Sequence, residues 1–408
     1  MSKLAINGGE KTRTQSWPSW PIWDQCEINA VTEVIESGHW GRLYAGEASR
    51  CYQLEEQFAA YQDARYGVAV TNGTAALEIA LQAVGVDIGD EVILSPYTFV
   101  ASATSILRLK AVPVFVDCEP DTRNIDPDLI EAAITDRTKA IMPVHFGGRA
   151  CDMQHILDIA SRHGLAVLED AAHGWGATWN GRKVGAIGDI GTISFQASKH
   201  MTAGEGGMVL TNDEELAEKA FSYHHIGRLP GRPFYEHHEC ASNYRMNELT
   251  AAVLLCQLTR LEAQSQRRHE NGLYLDEKLG AIPGLKPLGS KDYMTRIIRH
   301  CPAMFYDEEA VGVPRDRFIE ALNAEGIPCS IGYPHPLYRN PLFTEKRFGR
   351  AAEIVDYPDY GSMNLPHSEQ LCLNQVWIAN NALLAEPEEM DDIVAAFEKV
   401  MANVSELV

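Results

Sequence analysis

Short apolar runs alternate with longer helical stretches between about residues 65 and 240. The apolar runs, each bounded by Gly, Asp or Pro, are YGVAVT, EVILSP, VPVFVD, KAIMPVHF, LAVLED, GTISFQ and GMVLTN. After the first run, Leu77, Ala80 and Leu81 recur at helical spacing and Gly85 marks a stop. This alternation predicts an α/β fold with a mostly parallel seven-stranded sheet and crossover helices.

A second long helical pattern begins near Glu248 and continues through LLCQLTRLEAQSQRRHENGLYLDEKLG. The residues after it are less regular, richer in Pro, and end in a helical tail. We therefore expect an N-terminal arm and a large domain in residues 1–255, and a small α+β domain in residues 256–408. The opening WPSWPIWD is too short for a domain, and we expect it to be an arm packed on a neighbouring surface.

Composition narrows the function classes. The 408 residues carry 35 Lys and Arg against 56 Asp and Glu, a formal charge of -21, which disfavours binding to nucleic acid or to anionic lipid. The start has no apolar signal core, and no apolar run approaches the ~18 residues that span a bilayer, so we expect a cytoplasmic protein. Nine cysteines without a C-x-x-C pair indicate reduced buried thiols rather than disulfides or a zinc site.

Asp170 ends the run LAVLED, at the carboxyl edge of a predicted parallel strand. Ligands of open α/β sheets bind at that edge. Taken alone, an Asp at a strand end is more often a turn former or a helix cap. Its position by itself makes Asp170 a candidate and no more.

Lys199 lies between the predicted strands GTISFQ and GMVLTN, and Gly204, Gly206 and Gly207 follow it. A loop lysine is ordinarily a solvated surface charge. Here apolar strands bound the loop and the glycines permit close approach of the backbone, so we expect the side chain to point inward. An amine in a partly dry pocket has a lowered pKa and is nucleophilic toward aldehydes. Lys199 therefore meets the requirements of a lysine that forms a Schiff base.

The segment TNGT, residues 71–74, joins the first predicted strand to the helix after it. The backbone N–H groups of Gly73 and Thr74 then face outward at a helix N-terminus, which is a ready anion site. Asn72 or Thr74 can equally be an ordinary N-cap, and the segment alone does not decide between the two interpretations.

The anion site, the strand-end carboxylate and the nucleophilic amine are more informative together than singly. Pyridoxal 5′-phosphate needs all three, because its phosphate, its pyridine nitrogen and its aldehyde each require one of them. The carboxylate keeps the pyridine nitrogen protonated so that the ring can accept electrons. The combination predicts a pyridoxal-phosphate enzyme with Lys199 as the catalytic residue.

Segments along nearly the whole chain resemble the DegT/DnrJ/EryC1/StrS family of sugar and cyclitol aminotransferases. They are VTNGTAAL, SPYTFVASA, VPVFVDCEPDTRNIDP, AIMPVHFGG, LEDAAHGWGA, SFQASKHMTAGEGG and SNYRMNE. The resemblance implies fold type I of the pyridoxal-phosphate-dependent transferases, the fold of aspartate aminotransferase. It also implies a homodimer with composite active sites.

The resemblance assigns roles to individual residues. Lys199 matches the lysine that carries the cofactor, and Asp170 matches the partner of the pyridine nitrogen. The other matching cofactor positions are Gly73, Thr74 and Ser194 at the phosphate, Phe99 stacked on the ring, and His173 near the ring hydroxyl. Asn243 matches an Asn that reaches the phosphate of the neighbouring subunit, although its position alone indicates a turn residue.

The string SFQ-x-x-K-x-x-TAGEGG, which includes Gln196, is similar to cyclitol aminotransferases and 3-amino-5-hydroxybenzoate synthases. This implies amino transfer from L-glutamate or L-glutamine to a ketone on a sugar, cyclitol or related ring in amino-sugar or antibiotic biosynthesis. Pyridoxamine phosphate would link the two half-reactions. Ala379 and Asn380 depart from the resemblance, since those relatives have a pair of histidines there.

Substrate hydroxyls need donors and acceptors, and the candidates are Arg42, Tyr44, Gln196, Tyr333 and His335. The aromatic and histidine residues of IGYPHPLY are equally suited to packing a domain interface. The doublets His224-His225 and His237-His238 have no acidic or Cys partner at ligand spacing, so we expect no metal.

Three alternatives remain at this stage. The first is a synthase of the 3-amino-5-hydroxybenzoate type, in which the same lysine drives dehydration and aromatisation. The second is a nicotinamide-linked dehydrogenase, which is disfavoured because no G-x-G-x-x-G follows the first strand with an acidic residue at the right distance. The third is a cofactor-binding regulator without catalysis, which the presence of Lys199 disfavours.

Overall fold

The computed structural model describes residues 3–44 and 46–408, without the side chains of residues 44 and 47. The strands are β1 (Tyr66–Val70), β2 (Glu91–Leu94), β3 (Val112–Phe115), β4 (Thr138–Met142), β5 (Ala166–Asp170), β6 (Thr178–Trp179), β7 (Arg182–Lys183), β8 (Ile190–Ser194), β9 (Gly207–Thr211), β10 (Leu285–Pro287), β11 (Met294–Arg296), β12 (Ala303–Tyr306), β13 (Cys329–Ser330) and β14 (Gln375–Ile378). The α-helices are α1 (Gln25–Ser37), α2 (Arg50–Tyr61), α3 (Gly73–Ala83), α4 (Val100–Arg108), α5 (Met153–His163), α6 (Glu214–His224), α7 (Glu248–Gly280), α8 (Glu308–Val311), α9 (Arg315–Ala324), α10 (Pro341–Thr344), α11 (Ala351–Ile354), α12 (Pro366–Leu373) and α13 (Met390–Ala402).

The large sheet contains seven strands in the order β1-β9-β8-β5-β4-β2-β3. The pairs β2–β3, β2–β4, β4–β5 and β5–β8 are parallel, whereas β9 is antiparallel to both β8 and β1. Strands β2, β8 and β9 are buried along their whole length because helices cover both faces of the sheet. The predicted α/β fold, the seven strands and the helix after the first strand are all confirmed.

Helix α7 extends from the large sheet to a second, antiparallel sheet in the order β10-β12-β14-β13. Its first half contributes Leu254 and Leu261 to the core beside the large sheet, and its second half contributes Leu275 and Leu279 to the core of the second sheet. The expected domain division between residues 255 and 256 falls inside this helix and stays a prediction. In the part of the chain that the structure describes, no helix is both long and apolar enough to cross a membrane.

Helices α1 and α7 are joined by a disulfide between Cys26 and Cys256. The expectation that all nine cysteines are reduced is therefore wrong for this pair. The two residues lie 230 positions apart, and only the packing of α1 along α7 brings them together. Sequence spacing carries no signal for such a pair.

The N-terminal arm lies across the rest of the chain. Trp17 Nε1 donates to the Gly326 carbonyl at 2.9 Å, and Trp20 Nε1 donates to the Ala197 carbonyl at 2.9 Å. Gly326 lies just after α9, whereas Ala197 belongs to the loop that carries Lys199. The arm thus connects the second sheet with the candidate catalytic loop.

Candidate active site

A cavity of about 920 Å³ opens at the carboxyl edge of the large sheet. It brings together three of the features predicted from the sequence: Asp170 at the end of β5, Gly73 at the start of α3, and Lys199. A second cavity of about 940 Å³ lies over the antiparallel sheet beside Phe305 and Arg315, and it contains none of the predicted site residues. Volume does not separate the two cavities, but the chemistry of their walls does.

The start of α3 forms an anion cradle. Asn72 Oδ1 accepts from the Ala75 N–H at 2.8 Å and so caps the helix, while the N–H groups of Gly73 and Thr74 have no acceptor among the described residues. A Cβ at Gly73 would lie 2.7 Å from Ser194 Cβ, closer than two such atoms can approach. Glycine therefore leaves the space between α3 and β8 that an oxyanion can enter. The N-cap and the anion-site interpretations of TNGT hold together.

Asp170 is buried, and its carboxylate is held at both oxygens. Ser102 Oγ on α4 donates to Oδ2 at 2.7 Å, and the Ala172 N–H donates to Oδ1 at 3.1 Å. Thr98 Oγ1 lies 2.9 Å from Ser102 Oγ and extends this network. Since the carboxylate faces the cavity from a fixed position, it can act as a partner for a protonated ring nitrogen.

Glu169, the residue before Asp170, points to the opposite face of β5 and anchors the strand. Its carboxylate accepts from His145 Nε2 at 2.8 Å and from backbone N–H groups of the loop that precedes β8; these belong to Gly185, Ile187 and Gly188. Burial acts to raise the pKa of Glu169, but these hydrogen bonds hold the pKa below its usual value. The charged anchor fixes the strand end that presents Asp170.

Lys199 is half-buried and points into the cavity, as the sequence predicts. Burial lowers the pKa of its amine to about 8, although the neighbouring Cys301 and Asp170 act to raise the pKa. The amine lies 5.9 Å from the centre of the Trp175 ring. Among the described residues no hydrogen bond or ion pair engages the amine, so its neutral form is accessible near physiological pH.

His173, His300 and Cys301 converge beside the lysine, with their ligand atoms within 4.8 Å of one another. His173 Nδ1 accepts from the Gly147 N–H at 3.3 Å, which leaves the proton on Nε2. Burial, reinforced by the Lys199 charge, holds the pKa of both histidines well below the usual range, so both rings are neutral. His173 is thus a neutral donor, as a residue beside a ring hydroxyl requires.

This cluster also combines residue types that bind metals, which the sequence analysis did not anticipate. The histidine doublets considered there are engaged otherwise: His225 Nδ1 lies 3.0 Å from Arg245 Nη1, and His237 Nδ1 lies 2.7 Å from the Ile226 carbonyl.

An aromatic wall closes the side of the cavity that faces the second sheet. Tyr333 packs against Tyr97, Phe146 and Trp377, with ring centres 5.4 to 5.7 Å apart. Phe99 stands at the other side, 57% exposed, with its ring available to a ligand. Gln196 also lines the cavity, where its Oε1 accepts from Ser198 Oγ at 2.7 Å.

Other predicted residues lie elsewhere. Arg42 is buried in a two-pronged ion pair with Glu55, in which Nη2 and Oε2 are 2.8 Å apart, and it does not line the cavity. His335 is exposed outside the cavity, and the side chain of Tyr44 lies outside the described residues. The structure therefore places neither Arg42 nor His335 at the cavity. Arg42 is engaged by Glu55, and its local sequence motif does not reveal this pairing.

Asn243 is exposed, forms an isolated antiparallel β-bridge with His225, and accepts from the Arg245 N–H at 3.3 Å. It does not line the cavity of its own chain.

No sequence signal predicted a role in the site for Ser102, His300, Cys301 and Trp377. Ser102 lies within the segment SPYTFVASA, but nothing in that string marks it as the Asp170 partner. His300 and Cys301 follow the short strand β11, and Trp377 lies on β14. Their segments show no motif, and only the placement of the second sheet against the first brings them to Lys199.

Proteins of known description match almost the whole chain. A sequence model described as the DegT/DnrJ/EryC1/StrS aminotransferase family matches residues 21–398. A putative L-glutamine:3-amino-2,3-dideoxy-scyllo-inosose aminotransferase of Micromonospora echinospora is 40% identical, over 99% of this chain and 98% of that protein. A 3-amino-5-hydroxybenzoate synthase of Amycolatopsis mediterranei is 39% identical, over 92% of this chain and 95% of that protein.

Solved structures are similar over almost the whole chain. The crystal structure of a 3-amino-5-hydroxybenzoic acid synthase superposes with a TM-score of 0.86 and 35% identity, covering 97% of this chain and all of that one. NtdA from Bacillus subtilis, solved with bound cofactor PMP, superposes with a TM-score of 0.81 and 27% identity, covering 97% of this chain and 87% of that one.

Proposed function

The chain belongs to the DegT/DnrJ/EryC1/StrS aminotransferase family, and we propose that it transfers an amino group from L-glutamine or L-glutamate to a ketone on a cyclitol or related sugar ring, with pyridoxal 5′-phosphate as cofactor. One observation carries the proposal: the Lys199 amine, the Asp170 carboxylate and the anion cradle at Gly73 face one cavity. The inosose aminotransferase among the relatives supports a ring ketone as acceptor.

The residues fit this cofactor. The start of α3 and Ser194 would hold the phosphate, since a Cβ at Gly73 would fill the cradle. Asp170 would pair with the pyridine nitrogen, His173 would donate to the ring hydroxyl, and Phe99 would cover the ring. When bound, the cofactor supplies an aldehyde that captures the donor nitrogen and a ring that accepts electrons as a carbon–hydrogen bond breaks.

Lys199 is the group that holds and moves protons. Its pKa of about 8 leaves a useful fraction of neutral amine near pH 7 to accept a proton from the substrate carbon, and the resulting ammonium can return it. The hydrogen bond from Ser102 holds the Asp170 carboxylate in place. The buried Trp175 ring excludes water from one side of the Lys199 amine. A two-stage reaction that returns the same lysine to its starting form predicts ping-pong kinetics.

The cavity is proposed to be completed in a homodimer. Asn243 is exposed and outside the cavity of its own chain, which suits a residue that reaches the phosphate in a neighbouring subunit. Large apolar side chains are also exposed, among them Trp23 at 63% and Trp40 at 55%, and a second copy of the chain would cover them.

A second candidate is a 3-amino-5-hydroxybenzoate synthase, in which the same lysine would remove a proton during dehydration and aromatisation. This candidate is supported by the similarity to the Amycolatopsis mediterranei synthase and to the crystal structure of a 3-amino-5-hydroxybenzoic acid synthase. Product analysis separates the two: an amine on a saturated ring supports the aminotransferase, whereas an aromatic product supports the synthase.

Borohydride reduction of the protein loaded with pyridoxal phosphate tests the proposal. We expect one reduced adduct, on Lys199, and none on the Lys199→Ala variant. An adduct on another lysine of the wild type would overturn the assignment. Addition of L-glutamine to the unreduced protein should change its absorption from the aldehyde to the amine form of the cofactor. If borohydride labels Lys199 but L-glutamine does not change the absorption, a cofactor-binding regulator without catalysis is favoured.

A further inference from the structure

Arg268, on α7, is a fully buried cation without a protein partner. None of its three guanidinium nitrogens has a hydrogen-bond acceptor among the described residues. Other buried arginines are paired: Arg299 Nη2 lies 2.5 Å from Asp276 Oδ2, and Arg149 Nη2 lies 3.4 Å from the Leu288 carbonyl. Folded proteins seldom keep a buried charge unpaired, so Arg268 requires an explanation.

Among the described residues, no acid lies close enough to Arg268 to neutralise it. His200, also fully buried, has no hydrogen-bond partner at either ring nitrogen in the part of the chain that the structure describes. The Trp20 ring covers the guanidinium at 5.2 Å. Burial lowers the pKa of Arg268 to about 9, with no carboxylate acting against it, so the group is still a cation at neutral pH. The Arg268 charge acts to lower the pKa of His200, so the two groups lie near each other, and with the Trp20 ring they line one buried position.

This position lies directly behind the catalytic loop. His200 follows Lys199 in the chain, and Trp20 Nε1 donates to the Ala197 carbonyl two residues before Lys199. The His200 and His300 rings are 5.0 Å apart, and His300 lines the cavity. Both walls of the Arg268 position are therefore attached to the loop that carries the lysine, and His300 connects this position with the cavity.

We propose that Arg268 and His200 form a binding site for one small monovalent anion, for which a carboxylate is the best fit. The planar guanidinium presents paired N–H groups that match two carboxylate oxygens, and His200 offers a further donor. Two sources share this chemistry: a free small anion, and the carboxylate of the amino donor. Only the second source, the carboxylate of the amino donor, depends on the proposed function.

Unfolding of the holoenzyme with increasing sodium acetate tests the site. Because the anion binds only the folded state, we expect a saturable rise of the melting temperature by about 2–5 °C in the wild type. Arg268→Met should melt higher than the wild type without acetate, since it removes an unpaired buried charge, and should show no saturable rise. The same acetate dependence in both proteins would overturn the proposal.

Arg299→Met is the matched control. It removes an equally buried arginine but leaves Asp276 unpaired, so it should melt lower than the wild type and keep the saturable rise. If this variant also lost the rise of the melting temperature, removal of any buried arginine would abolish the effect. That outcome would contradict a site at Arg268.

A measurement on the wild type alone covers the case in which Arg268→Met does not fold. Iodide bound beside Trp20 should quench tryptophan fluorescence saturably, and acetate should reverse that part of the quenching. Quenching that is only linear in iodide and unaffected by acetate would overturn the proposal. Neither this measurement nor the melting experiment needs turnover, so both succeed or fail independently of the proposed function.

Kinetics of Arg268→Lys distinguish the two sources. If the donor carboxylate binds there, KM for L-glutamine should rise at least about tenfold with kcat nearly unchanged. If a free anion binds there, KM should be unaffected, and the wild-type kcat should depend on acetate concentration.

Discussion

Ser102 Oγ donates to Asp170 Oδ2 at 2.7 Å and thereby links helix α4 to the strand-end carboxylate of the site. Ser102→Ala should weaken cofactor binding by about 1.5–3 kcal/mol, because Asp170 loses a hydrogen bond to a charged group. Titration of the cofactor-free protein, followed by absorbance, measures this. Ser105→Ala, which removes a buried hydroxyl of the same helix that donates to the Ser102 carbonyl, is the control. Equal cofactor affinities of the Ser102→Ala variant and the wild type would show that this hydrogen bond is not needed to hold the Asp170 carboxylate in place.

The Lys199 amine should react at a lower pH than other lysines. In cofactor-free protein, its reductive methylation with formaldehyde should increase with pH and reach half its maximum near pH 8, since only the neutral amine attacks. Below that pH the ammonium dominates. In Asp170→Asn the midpoint should shift to lower pH, because the negative charge that favours the ammonium is gone. A midpoint near 10.5 would contradict the burial of the amine.

Hybrid dimers test the proposed composite site. A Lys199→Ala chain and an Asn243→Ala chain should each be inactive or nearly so as homodimers. Random mixing should restore about one quarter of wild-type activity, because half of the dimers then carry one intact site. Activity of mixtures is compared with that of the separate proteins. Absence of recovery in confirmed heterodimers would show that Asn243 acts within its own chain.

Reduction of the Cys26–Cys256 disulfide should loosen α1 from α7. Under oxidising conditions the unfolded chain should show seven reactive thiols, and nine after reduction. A double Cys26→Ser, Cys256→Ser variant should lose about 2–5 kcal/mol of stability in denaturant unfolding without reductant. With reductant present, variant and wild type should be equally stable. Nine thiols before reduction would show that the bond does not form in the isolated protein.

Glu169→Gln should destabilise the fold by about 2–4 kcal/mol, because a neutral amide replaces a buried carboxylate that accepts several hydrogen bonds. The NH₂ group of Gln would also face one of the backbone N–H groups, and two donors cannot form a hydrogen bond with each other. Denaturant unfolding measures the loss, and Glu131→Gln, at an exposed ion pair, is the control that should change little. Equal effects of the two substitutions would contradict the anchoring role.

The predicted elements are those with a strong local signal. Apolar runs of strand length sufficed for all seven strands of the large sheet, and the spacing of Leu77, Ala80 and Leu81 sufficed for α3. Lys199 was predicted to point inward because apolar strands and glycines surround it in the chain itself. In these cases the residues that determine the structure are neighbours in sequence.

The sequence by itself determined the sheet, its carboxyl edge and the placement of Lys199, Asp170 and Gly73 along that edge. Tertiary structure alone decided that His300 and Cys301 join them, that Glu55 engages Arg42, and that Cys26 meets Cys256. It also decided that Arg268 is buried behind the lysine loop without a hydrogen-bond partner among residues 3–44 and 46–408. The physical reason is that burial and pairing depend on residues far away in the chain, and no local pattern encodes which distant side chain arrives.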